Sequence, residues 1–343
     1  VSFFGRASYN WNERYLLTAT LRTDGSSKFG KGHKWGWFPS ASAAWRITEE
    51  SWMRPTKDWL SNLKLRVGIG TTGNDNIDDN MYATDYGAGY YTNGSEVIPT
   101  LVPGSTVGNP EVKWEKTTTV NVGLDFGFFK GRLNGSIDYY NNKSDNLLIQ
   151  NRIPTSTGYS YQYQNLASIR NTGVEIVLNS TNISTKNFTW NTNLNIAFNH
   201  NKVLSLYGSD SENNYMIQDY DSRMWFKIEE GKPLGQFYGY KVAGVYTTDD
   251  FTQNADGSYT LKDGVPSLKG RTRSAVKPGD VKYVCTAGQT DAKGNPVWST
   301  GDRTVIGNAN PDFTGGLGNT FSYKGFDLNI FMNFSVGGDV FNM

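Results

Sequence analysis

The stretch from Trp114 to Asn141 constrains the fold more than any other part of the sequence. Alternate residues form a largely apolar set with aromatic ends, which consists of Trp114, Lys116, Thr118, Val120, Val122, Leu124 and Phe126. The residues between them form a polar set, which consists of Glu115, Thr117, Thr119, Asn121, Gly123 and Asp125. This two-residue period is the pattern of a β-strand with one apolar and one polar face. A tight turn at 127–131 and a similar alternation from Leu133 to Tyr139 complete a predicted antiparallel hairpin.

The length of this hairpin indicates a membrane. Twelve steps of about 3.3 Å place Trp114 and Phe126 ~40 Å apart along the strand, or ~30 Å across a bilayer at a tilt of about 40°. Strands of soluble sheets are usually about 5–6 residues long. An apolar band with aromatic residues at both ends is typical of transmembrane β-barrels. We therefore predict that Val120, Val122, Leu124 and Ile137 face lipid and that Asn121, Asp125 and Asp138 face water.

Composition excludes several classes of protein. Hydrophobic residues make up 37% of the chain, and no run approaches the ~18 apolar residues of a spanning helix. The formal net charge of +1 gives no basis for nucleic-acid binding. The single cysteine, Cys285, cannot form an internal disulfide. Because the chain starts inside a strand at Val1 without a signal peptide, we expect a fragment whose first part is missing.

Alternating segments recur along the chain, and the connections between them alternate in length. Strands are predicted at 3–11, 15–22, 40–47, 63–70, 114–126, 133–141, 173–180, 188–199, 313–323 and 326–335, with a further hairpin around Gly231. This gives about twelve strands. Long loops are predicted at 24–37, 73–113, 142–171 and 243–312, and a short helix within 49–60. Short turns at one end and long loops at the other predict an all-β, antiparallel transmembrane barrel with extracellular loops.

Twelve short motifs, taken in order, resemble those of a known family. They are Arg14–Arg22, Asp24–Ser27, Trp37–Ser40, Leu63–Arg66, Thr72–Asn74, Asn109–Pro110, Lys113–Thr117, Gly173–Glu175, Pro278–Asp280, Asp302–Gly307, Asn310–Asp312 and Tyr323–Leu328. Together they resemble the C-terminal barrel portion of SusC/RagA-type TonB-dependent outer-membrane transporters. The resemblance covers nearly the whole chain.

The resemblance implies a 22-stranded barrel filled by an N-terminal plug. Residues 1–343 would then be a fragment of the barrel domain, without the plug, the TonB box and the final strands. It also implies import of oligosaccharides, or of peptides, that are too large for porins, with energy from TonB acting through the missing N-terminal part. A SusD-like lipoprotein is the implied lid over the extracellular loops. No cofactor is implied.

Two sets of residues are candidates for function. Facing the polar side of each strand inward predicts these lumen-facing residues: Arg22, Arg46, Lys64, Arg66, Glu115, Asn121, Asp125, Asn134, Asp138 and Glu175. Aromatic residues predicted to lie outside the membrane, as substrate or lid contacts, are Trp35, Trp37, Tyr90, Tyr91, Tyr159, Tyr161 and Tyr163. Flat rings suit sugar faces and protein interfaces. The alternative is that these rings pack loop against loop or belong to the outer aromatic girdle.

No arrangement of residues predicts catalysis or a metal site. The loop 75–80 is rich in oxygen ligands but lacks the glycine and distal glutamate of an EF-hand, so a solvated loop is favoured. His33 and His200 have no ligand-spaced partner. Acidic groups at 49–50, 210–212, 229–230 and 249–250 are interpreted as charged turns or loop tips.

Two other functions stay open beside the importer. A passive porin-like channel would lack an upstream plug and TonB box. A soluble carbohydrate-binding β-sandwich would stay monomeric in buffer without detergent.

Overall fold

A computed structural model describes residues 1–207, 215–220, 224–268 and 273–342 of the chain. The acidic group predicted as a loop tip at 210–212 lies outside these described residues. No helix in the described part of the chain is long and apolar enough to cross a membrane. The described residues divide into two compact units, one within 1–215, 229–233 and 311–337, and one within 216–228, 234–310 and 338–343.

β-Strands dominate both units. The strands of the first half of the chain are β1 (Ser2–Trp11), β2 (Tyr15–Gly25), β3 (Trp35–Arg46), β4 (Leu60–Asn74), β5 (Tyr86–Asn93), β6 (Glu96–Pro103), β7 (Thr106–Val107), β8 (Glu115–Phe128), β9 (Leu133–Arg152), β10 (Tyr161–Ser184) and β11 (Phe188–Ser205). Those of the second half are β12 (Tyr215–Tyr220), β13 (Met224–Glu229), β14 (Gln236–Tyr240), β15 (Val242–Val245), β16 (Phe251–Gln253), β17 (Tyr259–Leu261), β18 (Ser267–Leu268), β19 (Val281–Tyr283), β20 (Val297–Trp298), β21 (Arg303–Asn308), β22 (Phe313–Tyr323) and β23 (Phe326–Val336). Short 3₁₀ segments lie at Ile47–Glu49, Ser51–Thr56, Thr155–Thr157, Thr248–Asp250, Arg273–Ala275 and Thr300–Asp302.

The first unit contains one large antiparallel sheet. Its order is β1-β2-β3-β4-β8-β9-β10-β11-β22-β23, so each strand pairs with the next member in chain order, and β7 adds a short parallel ladder beside β10. The predicted all-β, antiparallel fold class is confirmed. The count of about twelve strands is corrected to ten for this ladder, because the strands flanking Gly231, β13 and β14, belong to a separate four-stranded sheet, β12-β13-β14-β21.

The connections of the large sheet alternate as the sequence indicates. Short turns at 12–14, 129–132, 185–187 and 324–325 lie at one end, which we call the short-turn end. Lys324 and Gly325 both have positive φ, 46° and 90°, as a two-residue type I′ hairpin requires. The other end, the long-loop end, carries the connections 26–34, 75–114, 153–160 and 206–312.

Several predicted boundaries are wrong, for reasons that differ. The predicted helix within 49–60 forms two 3₁₀ segments with Pro55 in the second, where the missing proline N–H disfavours an α-helix. The predicted loop 142–171 is mostly strand, since β9 runs to Arg152 and β10 starts at Tyr161. Apolar residues such as Leu147, Leu148 and Ile149 are consecutive there and therefore occupy both faces, so alternation gives no signal. The predicted loop 73–113 contains the β5–β6 hairpin.

Trp114 does not lie in a strand. Its ring packs 5.1 Å from that of Phe29 and 5.5 Å from that of Phe38, and both phenylalanines are buried. The Lys28 ammonium group donates to the carbonyl of Ile77, 2.7 Å away. These contacts fix the connections 26–34 and 75–114 to each other at the long-loop end, so Trp114 is not the outer aromatic end of a spanning strand.

The second unit has a small core of its own. Tyr246, Phe251, Leu261 and Val276 are buried together. They lie among three two-stranded ladders, β15–β19, β16–β17 and β18–β20. Because the chain enters this unit after β11 and returns for β22, most of it is an insertion in the connection 206–312.

Candidate functional site

The register of the large sheet assigns each strand residue to one of two faces. Lys64 lies opposite both Arg46 and Asp125, while Gly123 lies opposite both Arg66 and Asp138. Continued across β2, β8, β9 and β10, the alternation puts ten residues on one face, which we call the polar face: Arg22, Arg46, Lys64, Arg66, Glu115, Asn121, Asp125, Asn134, Asp138 and Glu175. These are the ten residues that the sequence predicts to face the lumen.

The opposite face, which we call the apolar face, carries the hydrophobic set. Val67, Val122 and Ile137 lie on it and are 45%, 39% and 43% exposed. Exposed aliphatic side chains on a sheet this long are what lipid, rather than water, accommodates. The predicted orientation of Val122 and Ile137, away from a protein interior, agrees with this exposure and argues against a soluble sandwich.

Aromatic rings border the apolar face at both ends. At the short-turn end they are Trp11, Tyr15, Trp45, Phe128, Trp190, Phe321, Tyr323 and Phe326. At the long-loop end Phe3 stacks on Trp35, with ring centroids 6.3 Å apart, and Trp37 lies on the same face. Trp45 follows Trp37 by eight steps, roughly 26 Å along the strand or about 20 Å across a bilayer at a tilt of about 40°, which approaches the ~25 Å apolar band of outer-membrane barrels.

A charged cluster crosses three strands of the polar face. The Arg66 guanidinium group donates to Asp125 Oδ1 at 2.7 Å and to Asp138 Oδ1 at 2.9 Å. Lys64 Nζ lies 3.7 Å from Asp125 Oδ2. Arg66 reaches Asp138, two strands away, by lying over Gly123, where a Cβ atom would come within 2.7 Å of the guanidinium carbon. The glycine therefore lets one cation bridge two carboxylates.

Glu175 gives this cluster an excess negative charge. It lies directly opposite Asp138 and is exposed. Two cations, Lys64 and Arg66, face three carboxylates, so the formal charge of the cluster is −1 (2 − 3). Like charges placed directly opposite on a sheet repel each other. The polar face thus carries, at Glu175, a carboxylate whose charge the cluster does not neutralise.

The remainder of the polar face is rich in amides and hydroxyl groups. Asn201 donates to Asn171 at 2.7 Å, and the Tyr140 hydroxyl donates to Asn199 at 2.9 Å. An open recess of about 580 Å³ between β1 and β8 is lined mainly by small residues such as Ser40, Ser42, Gly68, Gly70 and Thr119, with Arg6 and Arg22 among the others. Such a surface offers hydrogen-bond donors and acceptors to a polar solute.

The structure does not bring the seven predicted aromatic residues together. Tyr90 and Tyr91 lie on the β5–β6 hairpin and are 73% and 62% exposed. A hydrogen bond with Tyr86, at the base of this hairpin, raises the pKa of Tyr159. Tyr161 and Tyr163 open β10, where the Arg152 guanidinium carbon lies 5.8 Å from the Tyr161 ring centre. Trp35 and Trp37 lie on the apolar face, which favours the outer girdle over a substrate or lid contact.

Sequence reasoning missed two kinds of residue. Gly123 and Gly173 are needed because side chains cross over them, and neither alternation nor composition indicates such an approach. The exposed apolar side of the β5–β6 hairpin carries Leu101 and Val97 beside Tyr90. The apolar and aromatic residues of β5 and β6, which lie on either side of Gly94 and Ser95, are a sequence signal for this hairpin.

Metal-ligating groups do not converge in the part of the chain that the structure describes: no three His, Cys, Asp or Glu residues there are placed to hold an ion. His33 Nε2 lies 3.1 Å from Glu111 Oε2, in the connections at the long-loop end. Burial raises the pKa of the Cys285 thiol, with a smaller contribution from Asp302.

Removal of the Arg66 guanidinium group is expected to destabilise the large sheet. Arg66→Met leaves the mostly buried Asp125 paired with Lys64 and the mostly buried Asp138 without an ion pair among the described residues, and should lower the free energy of unfolding by about 2–3 kcal/mol. The matched control is Arg22→Met, because Arg22 pairs with Asp24 but is 55% exposed, so its loss should cost under about 1 kcal/mol.

Guanidinium unfolding of the full-length protein in detergent micelles measures both variants. Adding Asp125→Asn and Asp138→Asn to Arg66→Met removes the uncompensated charges and should recover part of the loss. Equal losses for the Arg66 and Arg22 variants would contradict a structural role for the bridge.

Comparisons with known proteins agree with this two-faced sheet. Residues 1–342 match the family described as "TonB dependent receptor-like, beta-barrel". TonB-dependent receptor P3 of Formosa agariphila is 34% identical, over 100% of this chain and 32% of that protein. TonB-dependent receptor SusC of Bacteroides thetaiotaomicron is 35% identical, over 99% of this chain and 31% of that protein. The structure described as the RagAB peptide transporter superposes with a TM-score of 0.75 at 28% identity, over 98% of this chain and 33% of that chain.

A sheet with one polar face, one apolar face and aromatic borders is the wall of an outer-membrane β-barrel. The chain belongs to the TonB-dependent receptor β-barrel family and resembles its SusC/RagA members. The predicted family and outer-membrane location are confirmed. The chain spans about a third of the length of the relatives it matches. These relatives are described as receptors and transporters, not as enzymes.

Proposed function

We propose that the protein carrying this chain imports nutrients across the outer membrane with energy from TonB, and that residues 1–343 are a segment of its barrel domain. The observation that carries the proposal is the two-faced sheet, in which ten polar residues share one face and exposed aliphatic residues with aromatic borders share the other. In a closed barrel the polar face lines the lumen, where Arg66, Asp138 and Glu175 meet the plug or the passing solute.

The proposed substrates are oligosaccharides, with peptides as the alternative. The amides of Asn171 and Asn201 and the hydroxyl groups of Ser40, Ser42 and Thr119 suit the hydroxyl groups of sugars, although they suit peptide groups as well. RagAB is described as a peptide transporter, which supports peptides as the alternative substrates. The SusC/RagA resemblance supports a solute larger than those that diffuse through porins.

A SusD-like lipoprotein lid is the proposed partner at the long-loop end. The β5–β6 hairpin offers Tyr90 and Leu101, which are 73% and 71% exposed on one side of the hairpin, and Tyr91 on the other side. Exposed tyrosine and leucine side chains on a hairpin are suitable anchors for a protein interface. TonB itself would bind a part of the full-length protein that precedes this chain.

Uptake by cells tests the importer against the passive channel. Cells that carry the full-length protein should accumulate a labelled oligosaccharide or peptide, and a proton uncoupler should abolish the uptake because TonB needs the energised inner membrane. Uptake that persists with the uncoupler would instead support the porin-like channel.

Purification of the full-length protein from the same cells tests the proposed partner and should recover the lipoprotein. The combined substitutions Tyr90→Ser and Leu101→Ser should reduce the yield of the lipoprotein, whereas Trp35→Ser should not.

A further inference from the structure

The short-turn end of the sheet has an uneven distribution of charge. The turns 129–132, 185–187 and 324–325 contain four basic residues and no acidic residue. We call the four the basic rim: Lys130, Arg132, Lys186 and Lys324. The three turns join β8 to β9, β10 to β11 and β22 to β23, which are six consecutive strands of the sheet, so the basic rim is continuous along one edge of the wall.

The neighbouring turns of β1 to β4 show what a neutral edge looks like in this chain. Residues 12–14 and 46–59 contain four acidic and four basic residues. Lys57 Nζ lies 3.5 Å from Glu49, and an Arg46 nitrogen lies 3.5 Å from Glu13. Arg14 lies 3.6 Å from Glu50, which also accepts hydrogen bonds from Tyr15 and Trp45. Charge is therefore compensated within that edge.

The basic rim has no such compensation. Its four side chains are exposed, and none forms an ion pair with any residue that the structure describes. Arg132 donates to the carbonyl of Asn182 at 2.8 Å. Lys324 Nζ lies 5.4 Å from the Tyr323 ring centre, a cation–π contact. Both contacts hold a cation in place and leave its charge unneutralised.

Aromatic rings on the apolar face accompany these cations. Tyr323 and Phe326, which flank Lys324, are 51% and 79% exposed, and Phe129, beside Lys130, is 59% exposed. Since the Tyr323 ring lies on the apolar face, its contact with Lys324 draws that ammonium group toward the same side. A cation adjoining a ring that enters hydrocarbon is the arrangement that meets a lipid at its headgroup.

We propose that the basic rim binds the phosphate groups of anionic phospholipids in the leaflet at the short-turn end. Charge complementarity indicates an anion, and the exposed rings of Tyr323 and Phe326 indicate that the anion is attached to acyl chains, because a soluble acidic protein or free phosphate would leave these rings uncovered. The inference rests on the membrane placement in the proposed function and adds a lipid preference confined to one sector of the wall.

Lipid titration of the full-length protein in a nonionic detergent tests this site. Native mass spectrometry compares the binding of short-chain phosphatidylglycerol with that of phosphatidylcholine, in the presence and absence of inorganic phosphate. The variant combines Lys130→Gln, Lys186→Gln and Lys324→Gln. Each juxtamembrane cation contributes ~1 kcal/mol, so the three together should lower the preference for phosphatidylglycerol on the order of 100-fold. If the triple variant does not fold, the single variants replace it, and each should lower the preference for phosphatidylglycerol about fivefold.

The matched control combines Arg14→Gln, Arg54→Gln and Lys57→Gln, which removes the same charge from the neutral edge. It should change the preference far less, because Arg14 and Lys57 are already paired with Glu50 and Glu49. Equal losses in the two triple variants, no preference in the unaltered protein, or full displacement by inorganic phosphate would each overturn the site. A protein that keeps the lipid preference but fails to import would refute the proposed function alone.

Discussion

Gly173→Ala should destabilise the barrel wall by about 3 kcal/mol, although it adds only one methyl group. A Cβ atom at Gly173 would overlap the backbone carbonyl oxygen of Phe198 on β11 and come within 2.5 Å of the Tyr140 ring carbon Cζ. Tyr140 lies across Gly173 to reach Asn199, so one strand is spanned by a side chain from its neighbour. A flexible side chain could move aside, but the carbonyl is fixed by the β10–β11 ladder.

Gly68→Ala is the control for this substitution. Gly68 also lies within a strand on the polar face, but its Cβ atom would meet nothing closer than Ser42 Cβ at 3.7 Å. Alanine there restricts the unfolded chain and should be neutral or stabilising by roughly 0.5–1 kcal/mol. Guanidinium unfolding of the full-length protein in micelles compares the two. Similar effects at both positions would mean that the close approach at Gly173 is absent.

The sequence predicts the strands well where they face two different solvents. Val120, Val122 and Leu124 alternate with Asn121, Gly123 and Asp125 because one face meets lipid and the other water, so the period is visible. It fails in residues 142–152 of β9, because the consecutive apolar residues Leu147, Leu148 and Ile149 fall on both faces of the strand and no two-residue period results. The hairpin around Gly231 pairs within the separate sheet β12-β13-β14-β21, and a local pattern does not reveal which strands pair.

Residue positions on a face were easier to predict than contacts between residues. Parity alone assigns Lys64, Arg66, Asp125 and Asp138 to one side, since a strand has only two faces. The bridge made by Arg66 depends on the register that sets Gly123 between them, and register is a property of pairs of strands. Trp35 and Trp37 show the opposite problem, because the predicted loop 24–37 includes the start of β3, where both residues lie on the apolar face.

Asp302→Ala should unfold much of the second unit, with a loss of about 4 kcal/mol. Asp302 is 4% exposed, and its carboxylate accepts three backbone N–H groups, from Thr286 at 2.5 Å, Ala287 at 2.6 Å and Ser299 at 2.7 Å. Alanine would remove the common acceptor of all three N–H groups, and the donor of Ser299 would be left buried without a partner. Hydrogen exchange of the peptide from 285 to 302 in the full-length protein measures the loss. The control is Asp256→Ala, because Asp256 accepts only from Ser258 in an exposed turn, and its loss should increase exchange in that turn alone.

The pH dependence of this second unit follows from the same carboxylate. Burial alone would raise the pKa of Asp302, but the N–H groups of Ala287, Ser299 and Thr286 together hold it below its ordinary value. The contribution of Asp302 to stability is thus fully present above the unfolded-state pKa of about 3.9 and is lost as pH falls through the lower folded-state pKa. Hydrogen exchange should therefore separate the original protein from Asp302→Ala widely at neutral pH and progressively less in acid. A constant difference between the two across this range would mean that the three N–H groups do not favour the charged form.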